Sequence, residues 1–412
     1  MKSLKVIDRL REVAEDPSVL TFSRVKDGAF TRKREGGMSF PQALSFLLDM
    51  GKTTLQTRLN RFWEGGEPIK QPSFTKLRAV FDHTPFEIMV RDIVEEEYSG
   101  NYELPTWRGF HLLATDGSYL QLPNTPVLAD EYGLLGGDGR PGAGISVLHD
   151  VLHGWVLDPI ITHSAMNERV QLIKHIAYLR DYLPNIAEKT LLLIDRGYPS
   201  AEIFALLEQQ GIKFCARCKN DHSKDIRSAP LGDSTIELGS GQTVRIVKFI
   251  LESGETETLA TNLFDLSEAD FPALYAMRWG VETLYFTLKQ KVGVEQFSGK
   301  TPNSIRQDFW ASMVLINVAA TFQKEADEVI AERHKGKQLK HSYRARGSDL
   351  IVTLRDRFIF ASLCGRPAIT DREYDFIMRQ LSRAVSPVRP GRSYSRKKKS
   401  TPATNHHLNS RL

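Results

Sequence analysis

Long apolar runs are missing from this chain of 412 residues. None approaches the ~18 uninterrupted apolar residues of a membrane-spanning helix, and the first residues, MKSLKVIDRLREVAED, are charged where a secretory leader is apolar. A cytoplasmic protein without a membrane partner is expected. Cysteine is scarce: Cys215, Cys218 and Cys364 cannot build a disulfide framework. Cys215 and Cys218 form a CxxC with no second pair, inside KFCARCK, whose alternation is that of a strand. They read as ordinary strand residues. The glycine-rich LLGGDGRPGAG (134–144) lacks the GxxxxGK[ST] order, so it is no phosphate-binding P-loop and reads as a connection.

Acidic residues are absent from the last thirty positions. Residues 383–412 hold eight of the 55 Lys and Arg and no Asp or Glu, leaving 47 basic against 50 acidic residues in the rest of the chain. The net charge of +5 therefore belongs to the tail, which includes Lys397 and Lys398. Such a composition is disordered on its own and releases counterions from a phosphate backbone when it meets one. Arg333, Lys335, Lys337, Lys340, Arg344 and Arg346 form a second run without an intervening acid.

With 41% hydrophobic residues the chain is long enough for one large or several ordinary domains. Residues 1 to about 104 read as helices. SFPQALSFLLDM, then Gly51, then KTTLQTRLNRFWE reads as helix, turn, helix, with Lys52, Arg58 and Arg61 on the second element and Arg32, Lys33 and Arg34 upstream. That is compatible with a DNA-binding helix-turn-helix, and equally with two helices of any bundle. A second pair follows at about 73–82 and 85–98.

From residue 107 the pattern changes to strands. GFHLLATDGSYLQLP (109–123) offers an apolar run ending in Asp116 and a turn at Gly117; GISVLHDVL and GWVLDPIITH follow. NERVQLIKHIAYLRDYL (167–183) has helical apolar spacing. TLLLIDRGYPS (190–200) is an apolar strand ending at Asp195, of the kind buried on both faces. A helix (200–211) and the KFCARCK strand complete the order strand, strand, strand, helix, strand, helix, strand. Residues 220–263 add STIEL, QTVRIVKFIL and ETETLATNL, alternating strands separated by glycine turns.

The most informative stretch is Tyr275-Ala-Met-Arg278-Trp-Gly-Val-Glu282-Thr-Leu-Tyr-Phe-Thr-Leu-Lys289. Read as one helix at roughly 100° per residue, it places Tyr275, Arg278, Glu282 and Lys289 within about 60° of one another. A carboxylate between cations and an aromatic ring suits a metal-binding acid beside a phosphate backbone. Trp279 lies off that stripe, which assigns it to core packing. The bland reading of Arg278 and Glu282 is a surface ion pair worth a few tenths of a kcal/mol.

The Y-x2-R-x3-E-x6-K spacing resembles the signature of bacterial insertion-sequence DDE transposases, the family numbered four among insertion sequences. Asp116 in Ala-Thr-Asp-Gly-Ser and Asp195 in Ile-Asp-Arg-Gly-Tyr match the other local contexts of that family. The resemblance implies an α/β fold with a ribonuclease-H-like catalytic core at 105–335 and an all-β insertion at about 220–263. It implies as well an α-helical N-terminal DNA-binding domain at 1–104, a helical C-terminal region at 336–382 and a basic tail at 383–412. It implies Asp116, Asp195 and Glu282 as catalytic metal ligands for two Mg²⁺ ions, with Mn²⁺ able to substitute. Asp116 would bridge them. DNA contacts fall to Tyr275, Arg278 and Lys289, then to Arg58, Arg61, Lys397 and Lys398. The expected partners are double-stranded DNA, as transposon ends and target, and a second copy of the chain in a synaptic homodimer; the expected location is the cytoplasm, on the nucleoid when DNA is bound. The implied reaction is cut-and-paste cleavage and strand transfer through a hairpin end. The insertion contains no Trp to stack on a base, and Phe249 is the substitute. The alternatives are a nuclease of the same fold that only cuts and a transposase-derived DNA-binding protein without catalysis.

Overall fold

The computed structural model describes residues 2–31, 37–50, 54–62, 67–99, 104–136, 139–219, 222–355, 359–364 and 367–388. Arg32, Lys33, Arg34, Lys52, Lys397 and Lys398 lie outside the described residues.

The chain begins with helices α1 (Lys2–Glu15), α2 (Pro17–Ser23), α3 (Phe40–Leu48), α4 (Leu55–Phe62), α5 (Gln71–Arg78) and α6 (Thr84–Ser99). Strand β1 (His111–Gln121) is followed by α7 (Pro126–Tyr132), β2 (Gly142–Asp150), β3 (Val156–His163), α8 (Glu168–Tyr182), α9 (Pro184–Ala187), β4 (Thr190–Ile194), α10 (Ala201–Gln209) and β5 (Lys213–Cys218). Next come α11 (Lys224–Ser228), β6 (Gly232–Glu237), β7 (Thr243–Ile250), β8 (Thr256–Thr261), α12 (Phe271–Ala276), α13 (Trp279–Phe286), a π-helical segment Thr287–Val292 and α14 (Pro302–His334). The chain then runs through β9 (Tyr343–Ala345), α15 (Gly347–Thr353), α16 (Ile359–Cys364), α17 (Pro367–Leu381) and β10 (Val385–Pro387). By contact density these elements form two compact units. One comprises Met1–Glu97, Gln121–Pro141 and Thr287–Leu412, the other Tyr98–Leu120 and Gly142–Phe286.

In the first unit the long helix α14 is the organiser. Thr301 opens it with a capping box to Ser304, which satisfies free amides at its start, and its middle is buried through Phe309, Met313, Leu315, Val318 and Phe322. Helices α1 and α3 pack on it, far away in sequence. Arg78 of α5 is buried against it, pairing with Asp308 at 2.9 Å and donating to Gln307 Oε1 at 3.0 Å. Arg58 of α4 is buried too, its Nη1 3.1 Å from Asp49 at the end of α3. The sequence places Arg58 on a DNA-facing surface; the structure instead uses its guanidinium to tie α3 to α4. Arg61 is exposed.

The second unit is mixed α/β around one eight-stranded sheet of order β3-β2-β1-β4-β5-β8-β7-β6. β4 lies parallel to both β1 and β5, and every residue of β4 is buried, as its apolar run requires. The strands and the two longer helices read from 109–218 occur in the order expected, with two short helices, α7 and α9, that the sequence reading does not include. Cys215 and Cys218 are buried on β5, and burial pushes both thiols up, Cys218 to about 12. Their strand-residue reading holds.

Three local expectations are corrected. β1 does not turn at Gly117 but continues in extended backbone to Gln121, and Asp116 Oδ1 accepts the Gly117 amide along it. The insertion is not all-β: it carries α11, and its strands extend the main sheet, with β8 antiparallel to β5 and to β7. The stretch from Tyr275 to Lys289 is not one helix. Between α12 and α13 the backbone tightens to i→i+3 bonds, Arg278 N to Tyr275 O at 3.0 Å and Val281 N to Arg278 O at 3.1 Å. Gly280 sits beside this break, where an added Cβ would lie 3.1 Å from Val151 Cβ. Lys289 falls in the π-helical segment, whose wider turn changes the angular phase.

Candidate active site

Strand register brings the two aspartates together. The last β1–β4 pair is Ala114 with Leu193. Carrying that parallel register two residues further sets Asp116 beside Asp195, past the carboxyl end of β4 and on strands about 4.8 Å apart. Openings at the carboxyl ends of parallel strands are where α/β sheets bind their ligands. Two carboxylates so close repel each other unless a cation intervenes.

Arg278 is that cation. Its Nη2 lies 2.8 Å from Glu282 Oε1 and 3.9 Å from Asp195 Oδ2, and its Nη1 lies 3.7 Å from Asp116 Oδ2. One guanidinium, only 5% exposed, thus faces all three acids named from the sequence. Burial works against its charge, but Tyr275 and the aspartates outweigh burial and raise its proton affinity. The Tyr275 ring stands 5.7 Å from the guanidinium, and its hydroxyl donates to Asp195 Oδ1 at 3.3 Å. The sequence assigns Tyr275 to DNA; in this structure its first partner is an acid of the site.

The backbone of Asp116 is propped from two sides. Tyr285, three residues after Glu282, donates to the Asp116 carbonyl at 2.6 Å, so α13 is docked onto the strand that carries the first acid. Ser146 Oγ lies 3.4 Å from the same carbonyl and 2.9 Å from His175 Nε2, while His175 Nδ1–H donates to Asp158 at 2.7 Å. Ser146, His175 and Asp158 have the residue types of a hydrolase triad, but Ser146 and His175 are completely buried. They brace β1 against α8.

Two acids here, Asp116 and Glu168, have few donors for their burial. Burial, opposed by Arg278 and the Gly117 amide, pushes the Asp116 carboxyl up to about 6; Asp195 and Glu168 add to the upward shift. Glu168, the first residue of α8, is raised by burial and by Asp195. Its participation was missed in the sequence, where NER reads only as a helix start. The glycines after both aspartates were the signal available.

Three acids of hard oxygen chemistry are the donor set that Mg²⁺ or Mn²⁺ takes. Among the described residues, however, no three His, Cys, Asp or Glu stand at metal-binding spacing. Arg278 keeps the carboxylates around itself, and its Nη1 is buried without a hydrogen-bond partner. The donors fit the ion in kind, and a bound cation would take over the charge that Arg278 balances here.

The other expected residues fall elsewhere. Lys289 belongs to the first unit, where burial lowers its proton affinity against the opposing effect of Glu295. Trp279 is 55% exposed rather than core, because the break in the helix makes it the first residue of α13 and voids the angle computed along one continuous helix. Phe249 is half-buried on β7.

This arrangement, carboxylates gathered at the ends of parallel strands with a third from a later helix, falls within a recognised domain. Residues 109–318, just over half of the chain, match the family described as Transposase DDE domain, and the chain belongs to that family. Among individual proteins it is similar to a probable transposase for insertion sequence element IS5377 of Geobacillus stearothermophilus. There the identity is 25% over 126 residues, covering 29% of this chain and 33% of the relative. It is also similar to the putative transposase y4zB of Sinorhizobium fredii (strain NBRC 101917 / NGR234), 29% identical over 102 residues, covering 24% of this chain and 28% of the relative. The chain thus spans about a third of the length of these curated relatives. A solved structure, the cryo-EM structure of the piggyBac transposase synaptic complex with hairpin DNA, aligns with a TM-score of 0.47 at 12% identity, over 96% of this chain and 87% of that one.

Proposed function

We propose that the chain is the DNA transposase of an insertion sequence, built on a ribonuclease-H-like core, which binds the terminal inverted repeats of its element and cleaves and rejoins phosphodiester bonds. The observation that carries this reading is the meeting of Asp116, Asp195 and Glu282, from two parallel strands and a later helix, around one guanidinium. Those three acids would hold Mg²⁺ ions, Asp116 serving as a shared ligand in this reading. When bound, such ions activate the attacking oxygen and stabilise the leaving one in an in-line displacement at phosphorus.

The chain's own residues position and release. Tyr285 and the Ser146–His175–Asp158 relay fix the Asp116 backbone, and Tyr275 orients Asp195. Arg278, freed from the acids by a bound cation, has the planar donor fork for a DNA phosphate. Lys289, Arg61, Lys397 and Lys398 would supply further phosphate contacts. Cut-and-paste movement through a hairpin end, in a homodimer that synapses two ends, completes the reading.

The test is cleavage of linear DNA carrying the element's ends by the full-length protein in Mg²⁺ or Mn²⁺. Asp195→Asn is expected to abolish cleavage while DNA binding persists in a mobility-shift assay. If Glu282→Gln cleaves as well as wild type, the site assignment is wrong. Cleavage without joining to a target plasmid would identify a nuclease that only cuts.

A further inference from the structure

We propose that Glu168 is a fourth carboxylate of this site, contributing a metal ligand beside Asp116, Asp195 and Glu282. The inference rests on the metal-dependent reading above and deepens it.

Asn167 caps α8 by accepting the amides of Arg169 at 3.0 Å and Val170 at 3.4 Å. That cap fixes the first helical residue, and with it the direction in which the Glu168 side chain leaves the helix. Its carboxylate reaches between the segments that carry the two aspartates. A Cβ built on Gly117, next to Asp116, would lie 3.1 Å from Glu168 Oε1; one built on Gly197, two residues after Asp195, would overlap Glu168 Oε2. Neither glycine has a positive φ. Backbone conformation therefore does not require glycine at either position; a side chain at Gly197 would displace the Glu168 carboxylate, and one at Gly117 would meet Met166 Cε at 2.8 Å as well as Glu168. Two glycines, one after each aspartate, leave a slot that one acid fills from a third element.

Inside that slot Glu168 has no hydrogen-bond donor or cation among the described residues; its electrostatic neighbours are the Asp195 and Asp116 carboxylates and the phenols of Tyr198 and Tyr285. A half-buried acid placed beside two others, with its approach kept open by missing side chains, is costly unless a cation joins it. Mg²⁺ and Mn²⁺ accept additional carboxylate oxygens. An acid in the first turn also gains from the helix dipole, so the test must separate the two roles.

The experiment is Mn²⁺ titration of the full-length protein without DNA, by calorimetry or by the EPR signal of free Mn²⁺, together with melting in EDTA and in Mn²⁺. Glu168→Gln removes a charged ligand oxygen and is expected to weaken Mn²⁺ binding by at least about tenfold, no less than the loss of a mere support group would, and to shrink the Mn²⁺-induced rise in Tm. Gly197→Ala, which retains the charge but displaces the carboxylate, should shift both readouts in the same direction. A helix-dipole role alone would lower Tm equally with and without Mn²⁺ and leave the affinity untouched; that result overturns the proposal. Wild-type Mn²⁺ affinity in Glu168→Gln overturns it as well while leaving the three-acid site standing. Absence of Mn²⁺ binding by the wild type would overturn both.

Discussion

Two aspartates on neighbouring strands of the same sheet are treated in opposite ways. Asp150, at the end of β2, is completely buried, yet each of its oxygens has donors. Oδ1 accepts the amides of Leu152 at 2.9 Å and His153 at 3.0 Å, and Oδ2 accepts His153 Nδ1–H at 2.8 Å and the Tyr98 hydroxyl at 2.5 Å. Burial alone would raise its proton affinity, but these donors hold it below the ordinary carboxylate range. Asp116, on β1, is less buried and has one backbone donor and a guanidinium 3.7 Å away, and its carboxyl rises to about 6. Depth of burial thus does not separate the two acids; the number of donors left unfilled does, and an unfilled donor count is what the proposed catalytic role of Asp116 requires.

The sharpest way to break that comparison is to neutralise each acid in turn. Asp150→Asn gives its four donors a mismatched acceptor in the interior and should destabilise by about 3 to 5 kcal/mol, read as a lower urea midpoint. Asp116→Asn should act with the opposite sign in EDTA, because it removes a desolvated charge. If both variants destabilise alike, the distinction between a satisfied and an unsatisfied acid is wrong.

Next in size is the cation. Arg278→Ala leaves three carboxylates facing one another and should lose about 3 kcal/mol of stability in EDTA, at the low end of the cost of removing one partner from a buried ion pair. Mn²⁺ should restore part of that loss. No restoration by Mn²⁺ would mean that the guanidinium does not stand where a cation is wanted.

The pH dependence follows from the same carboxyl. A folded-state value of about 6 against the ordinary 3.8 means that between these pH values the native state binds more protons than the unfolded state. Stability from this group is therefore present below about pH 4 and declines as pH rises to about 6, by on the order of 3 kcal/mol. Asp92 is also raised to about 6, by burial and Glu95, and contributes in the same window. The diagnostic is hence the difference between wild type and Asp116→Asn in EDTA, which should grow from pH 4 to pH 6 and then level off. A constant difference would show that Asp116 titrates normally.

How much of this was legible in the sequence depends on how local the cause is. An apolar run ending in Asp is a local pattern, so Asp116 and Asp195 could be named as strand-borne acids, and the parallel pairing of β1 and β4 then aligned them. Glu282 and Arg278 at i,i+4 survive the break before α13, since only the residues between 282 and 278 set their contact. The break itself was not legible. It arises where Gly280 approaches Val151, more than a hundred residues away in sequence, and periodicity carries no information on such an approach. The burial of Arg58 depends likewise on Asp49 across a turn, and the clustering of α1, α3 and α14 on contacts between the two ends of the chain. Glu168 was hidden for the same reason: its signal is space left by two glycines in other segments.

Trp279 gives the smallest expected effect and tests the break directly. On a continuous helix it would be buried, and Trp279→Ala would remove a large core side chain at about 3 to 5 kcal/mol. As the exposed first residue of α13 it should cost within about 0.5 kcal/mol, the range of ordinary surface substitutions. The neighbouring Gly280→Ala should cost more despite the far smaller change in volume, because its new Cβ would crowd Val151. A reversed order of the two, measured as urea midpoints under the same conditions, would restore the unbroken helix and with it the stripe that places Lys289 in phase with Glu282.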